Sequence, residues 1–489
     1  MLTIEKNKEI KSVWGLGSGL EDLRPYYNST LQNFVEAPAH YIFGSKTELL
    51  EALKNNHKTV KYKIESEKKT TEEETTISFV LDRIQYQKIQ AGAKSDAERV
   101  FDAAKKNDAK VFAGQRCDYY YQGAYMSGDQ FAVGAALRQD GTSRLILLYG
   151  KDEENNAKNL VKFYVSSCKL SAERLLPVLV TDSKVAYQVC NEVLDKRLKK
   201  EALPLLQGNL AFLASIPTKG ARLFPVGGAT TNVAASVLSS DQGTLAKDWG
   251  VDPSSNRYWA FRIDQFLNGK QVQKKGSYVI LWTRFSGKGG GAHPELDDSW
   301  TGLGQVVHEL LAKDRDVIVV GKPRNNRDIK AKFEEHLDEL DKSKKKKVAR
   351  DKLKIWGEYW KTDGGQPNEE IIGANRAAEY AIFLRMVHPD WGCKIVHLGM
   401  RSGAMDAAAL LGMRTLFIED KDNRQIERTT KWTGTGNDNP RYKRIPVSEL
   451  PTWTAKTGNR KEQSKDPPRR GYNEKDLQMI VQAVESALQ

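Results

Sequence analysis

The chain has 489 residues, of which 39% are hydrophobic and 28% are charged, a composition that fits a soluble globular protein. This length exceeds what one ordinary hydrophobic core organises, so we expect two or three domains. A formal net charge of +13 and a sequence pI of about 9.2 favour an anionic partner: a nucleotide, a nucleic acid or an acidic surface. A spread of surface lysines is the commoner origin of such a charge.

The four cysteines, Cys117, Cys168, Cys190 and Cys393, lie far apart in the sequence without C-x-x-C spacing. Only Cys393 has a nearby histidine, His397, which is too few ligands for a metal. These observations argue against a disulfide framework or a zinc site and favour a reducing compartment. The N-terminus lacks the apolar segment of a secretory signal, and no apolar run approaches the ~18 residues that cross a bilayer. We therefore expect a cytoplasmic protein without a membrane span.

The first part of the chain offers two candidate ligand-binding stretches. Gly15, Gly17 and Gly19 predict a turn that either approaches a phosphate or sugar or is an ordinary loop. Further on, four tyrosines stand close together. These are Tyr119, Tyr120, Tyr121 and Tyr125. Flat rings stack on sugars and bases, so the cluster indicates a ligand site, with packing in a domain core as the alternative.

Apolar runs at 143–149 and 161–165 predict two strands around a polar connection, and a further apolar run covers 175–180. Residues 182–199 carry apolar side chains at about 3.6-residue spacing, which predicts a helix. The strands and helix together predict an α/β domain.

A polar, basic stretch near residue 270 predicts the main domain boundary. We expect an N-terminal α/β domain over 1–270 with a charged excursion near 58–76, and a C-terminal nucleotide-binding domain over 271–460. A tail over 461–489 ends in an amphipathic helix that packs back on the body.

The second domain begins with a predicted strand over 278–283, a glycine-rich loop over 284–293, a helix and a strand over 316–320. This order predicts a βαβ unit whose loop suits an anion. A charged insertion near 325–353 contains the run KSKKKK. The run is typical of a solvated helix, with a nucleic-acid patch as the alternative.

Residues 394–422 form the clearest unit, a strand, a small-residue turn, an alanine-rich helix and a second strand. The turn places Arg401, Ser402 and the backbone N–H groups around Gly403 at a helix N-terminus, which suits a phosphate. Neither a complete G-x-G-x-x-G fingerprint nor a P-loop occurs, which argues against a simple dehydrogenase or ATPase.

Residues 402–412 read SGAMDAAALLG and resemble the SG-x-M-H-x-A-A-A-x-G segment of GT-B glycosyltransferases of the heptosyltransferase type, with Asp406 where that family has histidine. In that family the segment contacts the sugar-nucleotide donor. The first loop is similar to that of GDP-fucose-dependent fucosyltransferases, which carry an arginine and then a histidine, as Arg284 and His293 stand here. Their Arg-Arg-Thr-Asp core is missing. Both resemblances imply an α/β fold of two Rossmann-like domains facing a cleft, with the donor in the second domain.

The resemblances imply a nucleotide-sugar donor linked to GDP, UDP or ADP. No metal is obligatory, because basic side chains and a helix dipole offset the diphosphate charge. The residues expected to bind the donor are Arg284, Ser286, Lys288, Gly290, Arg401, Ser402, Gly403 and Asp406. Two alternatives stay open: an ion pair of Arg401 with Asp406 or Glu419, and a solvent-facing role for Lys288.

The resemblance also implies an acidic catalytic base in the N-terminal domain, for which Glu21, Asp22 and Asp118 are available. His293 and Glu295 are candidates from the other side of the cleft, since a neutral imidazole is a competent base.

The sequence thus predicts a metal-independent glycosyltransferase that acts on a macromolecular or large acceptor. One alternative is a protein that binds nucleic acid or an acidic partner on a Rossmann-like scaffold, which the net charge and the lysine run favour. Another is a sugar-nucleotide hydrolase or epimerase. Asp420 and Asp422 follow a predicted strand like the D-x-D metal site of the other main glycosyltransferase fold, a further alternative.

Overall fold

A computed structural model describes residues 98–106, 117–168, 170–194, 222–225, 243–284, 298–321, 329–360, 376–422, 426–434, 436–448, 450 and 471–489. The chain divides into two compact units, Met1–Ser95 with Pro253–Phe266, and Asp96–Asp252 with Leu267–Gln489. Both β-sheets described below belong to the second unit. In the first unit, the described part holds a 3-10 turn over Pro253–Ser255 and most of the helix that follows it.

The strands are β1 (Asp118–Gly123), β2 (Arg144–Tyr149), β3 (Leu175–Leu179), β4 (Arg222–Pro225), β5 (Ser277–Thr283), β6 (Asp316–Gly321), β7 (Leu353–Gly357), β8 (Lys394–Met400), β9 (Thr415–Asp420) and β10 (Tyr442–Val447). The helices that follow β1 are α1 (Gln130–Gln139), α2 (Glu154–Cys168), α3 (Ser183–Leu194), α4 (Gly243–Asp248), α5 (Arg257–Gly269), α6 (Trp300–Ala312), α7 (Ile329–Lys344), α8 (Ala381–Val387), α9 (Gly403–Leu410), α10 (Ile426–Thr433) and α11 (Glu474–Leu488). This alternation confirms the predicted α/β class with parallel sheets.

The first sheet has the strand order β3-β2-β1-β4, and all of its pairs are parallel. Parallel neighbours need crossover connections, which α1 supplies between β1 and β2 and α2 between β2 and β3. The strand predicted at 143–149 corresponds to β2, and the apolar run at 175–180 contains β3. α3 lies within the helix predicted over 182–199.

The strand predicted at 161–165 is wrong, because these residues form the second half of α2. β-branched and aromatic residues favour strands locally. Here Ala157, Leu160, Val161, Tyr164 and Cys168 recur at helical spacing, and all five are buried. Burial of one helical face on the sheet therefore overrides the local preference.

The second sheet has the order β10-β9-β8-β5-β6-β7, again with parallel pairs throughout. The chain runs outward from β5 to β7, returns to place β8 beside β5, and continues to β10. This is the doubly wound order 3-2-1-4-5-6. The crossover direction reverses between β5 and β8, and ligands of such sheets bind at the carboxyl ends of the strands at that point.

One face of the second sheet packs against α6 and α11. Alternate residues of β5 and β8 point to this face, so Val279, Leu281, Val396 and Leu398 are buried in one cluster. The predicted apolar stripe of the last helix is buried in the same cluster through Leu477, Ile480, Val481, Val484 and Leu488. Each such side chain contributes about 1.5–3 kcal/mol when fully buried.

The opposite face carries an aromatic layer. Trp282 of β5 stacks on Tyr380, whose ring meets Phe131 of α1 edge-on at a centroid distance of 5.9 Å. The Trp282 indole N–H donates to His397 Nδ1 at 2.8 Å. Complete burial lowers the pKa of His397 to about 3, so its ring is neutral. This layer joins the second sheet to α1 of the first sheet.

The charged segment near 325–353 contains α7, whose Phe333 and Leu337 are buried in the core of the second sheet. The exposed lysine run lies at the C-terminal end of α7. Lys344 pairs with Glu309, and Lys346 donates a hydrogen bond to the Ala312 carbonyl. Among the described helices, none is long and apolar enough to span a bilayer.

Candidate functional site

The switch point of the second sheet brings the two predicted arginine loops together. Arg284 follows β5, and its Nη1 donates to the backbone carbonyl of Arg401, which follows β8, at 2.9 Å. The backbone of Arg284 is fixed as well, because its N–H donates to the carboxylate of buried Asp298 at 2.6 Å. The Asp298 N–H donates back to the Arg284 carbonyl at 2.9 Å. We call the carboxyl ends of β5–β10, with the turn at 401–403, the second-sheet edge.

Glu419 organises the arginines at the second-sheet edge. Its carboxylate is fully buried, and Arg401 Nη1 lies 2.6 Å from Oε1. Arg444 of β10 places Nε 2.9 Å from Oε2 in an ion pair that lacks hydrogen-bond geometry. Arg444 Nη2 also donates to the Asp420 carbonyl at 2.6 Å. The structure therefore shows the alternative in which Arg401 pairs with Glu419, and Arg401 is left 13% exposed.

Sequence reasoning missed Arg444. It lies in β10, a strand whose buried residues are Tyr442, Ile445 and Val447, while Lys443 and Pro446 are exposed. This partial alternation is the signal that predicts an edge strand, and an edge strand next to β9 places Arg444 beside Glu419.

The helix N-terminus predicted at Gly403 is the start of α9. Ser402 is its N-cap residue in an extended conformation, without a capping bond from its side chain. Asp406, in the first turn, accepts a hydrogen bond from the Tyr442 hydroxyl at 2.5 Å. The Asp406 carboxylate is thus tied to Tyr442 of β10.

The turn after β1 lies directly on this helix N-terminus. A Cβ placed on Gly403 would overlap the Gly128 carbonyl and lie 2.8 Å from Gly128 Cα, so only glycine permits the approach. Gly128 belongs to the 3-10 turn Ser127–Asp129, which leads into α1. We call the carboxyl ends of β1–β4, with the turn at 124–129, the first-sheet edge.

Asp129 ends this 3-10 turn and directly follows Gly128, the residue whose backbone meets Gly403 of α9, and sequence reasoning missed it. The signal was present, since Gly128 and Asp129 follow a buried strand and open a small-residue helix, as Ser402 and Gly403 do. Asp118, by contrast, begins β1. A strand rises about 3.3 Å per residue, so Asp118 lies roughly 16 Å from the carboxyl end of β1. Asp118, one of three acidic residues available as the base, therefore lies at the opposite end of β1 from the first-sheet edge.

The tyrosine cluster is divided between core and edge. Tyr119, Tyr120 and Tyr121 are buried in β1, which confirms the core alternative for these three. Tyr125 lies beyond the strand and is half-buried at the first-sheet edge.

Several predicted site residues lie outside the described residues, and their predictions stay untested. They are Glu21, Asp22, Ser286, Lys288, Gly290, His293 and Glu295. Asp420 ends β9, and its carboxylate accepts the N–H of Asp422 at 2.8 Å, which closes a turn. Within the described ranges, no group of three or more His, Cys, Asp or Glu side chains is placed to hold a metal ion.

No family model and no curated protein matches the chain. The chain is similar to a solved structure of a glycosyl transferase family 9 protein from Veillonella parvula DSM 2008, with 10% identity and a TM-score of 0.34 over 76% of this chain and 97% of that one. It is also similar to E. coli ADP-heptose lps heptosyltransferase II, with 10% identity and a TM-score of 0.31 over 76% of this chain and 98% of that one.

Proposed function

We propose that the protein is a glycosyltransferase with a GT-B-like arrangement, in which a nucleotide-activated sugar binds at the second-sheet edge. The observation that carries this proposal is the bond between Arg284 and the Arg401 carbonyl across the switch point of a doubly wound sheet. A guanidinium matches the two oxygens of a phosphate in a forked geometry, and this edge is where such sheets bind nucleotides.

The two arginines have different roles in this proposal. Arg401 is committed to buried Glu419 and acts through its fixed positive charge, while Arg284 contacts the diphosphate. The first turn of α9 adds the partial positive charge of a helix N-terminus. Together these groups offset the charge that develops on the leaving nucleoside diphosphate as its bond to the sugar breaks.

Asp129 is the proposed base, in preference to Glu21 and Asp22, because it stands at the first-sheet edge where the Gly128 backbone meets Gly403. An acceptor hydroxyl gives its proton to this carboxylate, and the oxygen attacks the anomeric carbon of the donor. The new glycosidic bond forms as the bond to the diphosphate breaks, so the products are the glycosylated acceptor and a free nucleoside diphosphate. A macromolecular or large acceptor is part of the proposal.

Thermal unfolding with ADP, UDP or GDP tests the donor half. A ligand at 100 times its Kd stabilises the folded state by about 2.7 kcal/mol, so at least one nucleotide should raise the Tm by several degrees. Arg284→Ala should abolish this rise. Arg315→Ala is the matched control, because Arg315 precedes β6 at the opposite edge of the sheet and binds Glu485 through Nε and Nη2.

The proposal fails if none of the three nucleotides changes the Tm of the wild type, or if Arg284→Ala keeps the full rise. A Tm rise with an RNA or DNA oligonucleotide alone, weakening steeply with salt, identifies a nucleic-acid-binding protein instead. Turnover of a sugar nucleotide that is equally fast with and without acceptor identifies a hydrolase or epimerase.

A further inference from the structure

The Tyr125 ring is held in a fixed place over the end of β1. It lies so close to Gly123 that a Cβ on that glycine would fall 2.8 Å from Tyr125 Cδ1. Tyr187 of α3 packs edge-on against Tyr125 at a centroid distance of 6.5 Å, and its ring is tilted against that of Tyr121 at 5.0 Å. Tyr121 donates its hydroxyl to Asn191 at 2.6 Å. The half-buried ring of Tyr125 is therefore the outer member of a packed aromatic group.

The turn that carries Tyr125 is tied to the core from both sides. The Met126 N–H donates to the Gly123 carbonyl at 2.9 Å, and buried Gln122 donates its side-chain N–H to the Met126 carbonyl at 2.9 Å. Gln122 accepts in turn from the hydroxyl of buried Tyr164 at 2.5 Å. The Asp129 N–H donates to the Met126 carbonyl at 3.2 Å. Tyr125 and Asp129 are thus positioned by the same hydrogen-bond network.

The surroundings of the Tyr125 ring are acidic. Burial raises the pKa of its hydroxyl, and Glu153, Asp129 and Asp182 raise it further. Two of these carboxylates are fixed as caps, since Glu153 accepts the Gly150 N–H at 2.8 Å and Asp182 accepts the Lys184 N–H at 2.8 Å. A positive charge lies beside the ring as well, because Lys184 Nζ is 5.7 Å from the Tyr125 ring centroid.

We propose that Tyr125 is the acceptor-binding surface, on which the apolar face of a sugar ring packs, and that this sugar is neutral or carries an amino group. The inference rests on the proposed function, since it places the acceptor beside Asp129. Aromatic faces attract C–H groups and cations through their negative quadrupole. An acidic sugar would meet Asp129, Glu153 and Asp182 with like charge, which suppresses binding.

Saturation-transfer NMR with three methyl glycosides tests the proposal on the full chain: methyl glucosaminide, methyl glucoside and methyl glucuronide. The wild type should bind the first two, with the glucuronide weakest. Tyr125→Ala should weaken the glucosaminide and the glucoside by about fivefold to tenfold, while Tyr125→Phe keeps the ring and the affinity. The proposal is overturned if no glycoside binds, if the glucuronide binds best, or if Tyr125→Ala binds like the wild type.

Asp182→Asn removes one negative charge near Tyr125 and keeps the helix cap. Asparagine caps a helix as well as aspartate does, so the Tm should stay unchanged. Removal of one negative charge should improve glucuronide binding about twofold to fivefold relative to the glucosaminide, and an unchanged ratio contradicts the proposed selectivity. If nucleotides still raise the Tm in a manner that depends on Arg284, but glycoside binding does not depend on Tyr125, this inference alone is overturned. Absence of nucleotide shifts overturns the proposed function instead.

Discussion

The two sheet edges share a topology and differ in chemistry. Each has a strand, a tight turn with a glycine, and a helix of small residues, in β1–α1 and in β8–α9. At the second-sheet edge, Arg401 and Arg444 pair with the buried carboxylate of Glu419, and Arg284 binds the Arg401 carbonyl. The first-sheet edge instead carries a tyrosine among carboxylates. In the proposed function, the strand order sets where each ligand binds, and the turn residues set which ligand it is.

Asp129→Asn tests the first-sheet edge most severely. If Asp129 takes the acceptor proton, its loss should lower kcat for transfer by about 10²–10⁴-fold. The measurement is release of nucleoside diphosphate from the donor that raises the Tm, with methyl glucosaminide as acceptor. The Tm rise with the nucleotide should persist in this variant, because the proposed donor site lies at the other edge. A kcat close to that of the wild type removes Asp129 from the mechanism.

Glu419→Ala is the corresponding test of the second-sheet edge. The substitution leaves two guanidinium groups facing each other in a buried site, which should lower the free energy of unfolding by about 3–5 kcal/mol. Urea denaturation measures this loss. Glu485→Ala is the control, because its pair with Arg315 is partly exposed and should contribute less than about 1 kcal/mol. Equal losses in the two variants contradict the role of Glu419 as the organising group.

The sequence predicted only part of the chemical difference between the two sheet edges. The unit at 394–422 was predicted because a buried strand and an alanine-rich helix are local patterns, and its proximity to Arg284 followed from the βαβ order. Arg444 was missed because β10 is short and polar on one side. Asp129 was missed because its turn becomes a candidate site only through the contact with Gly403, which is far away in the chain. Contacts between distant turns depend on tertiary packing, which local patterns do not encode.

Lowering the pH should destabilise the aromatic layer at the second-sheet edge, which contains His397, more than the core at the first-sheet edge, which contains Tyr164. His397 has its pKa lowered from 6.5 to about 3, so its contribution to stability is complete above pH 6.5 and is lost as pH falls toward 3. The sign follows because only the unfolded state binds a proton in that window. One such group costs about 2 kcal/mol between pH 6.5 and 5. Tyr164 under the first-sheet edge has its pKa raised and stays neutral throughout.

Chemical denaturation at pH 7 and pH 5 measures this effect in the wild type and in His397→Phe, which should lose less stability on acidification. His388→Phe is the control, since His388 is partly exposed beside Asp390. The assignment to His397 is incorrect if both variants keep the pH dependence of the wild type.

The glycine contact that joins the two edges gives the smallest effect. Gly403→Ala places a methyl group against the Gly128 backbone, so the two turns must separate, at a cost of about 1–2 kcal/mol in the free energy of unfolding. Gly128→Ala is a matched control, because a Cβ there meets nothing within 4 Å, and its effect should stay within about 0.5 kcal/mol. Urea denaturation compares the two variants, and transfer assays compare their kcat. Separation of the turns moves Asp129 away from α9, so Gly403→Ala should lower kcat while Gly128→Ala leaves it unchanged. If both variants transfer sugar at the wild-type rate, the two edges do not work as one site.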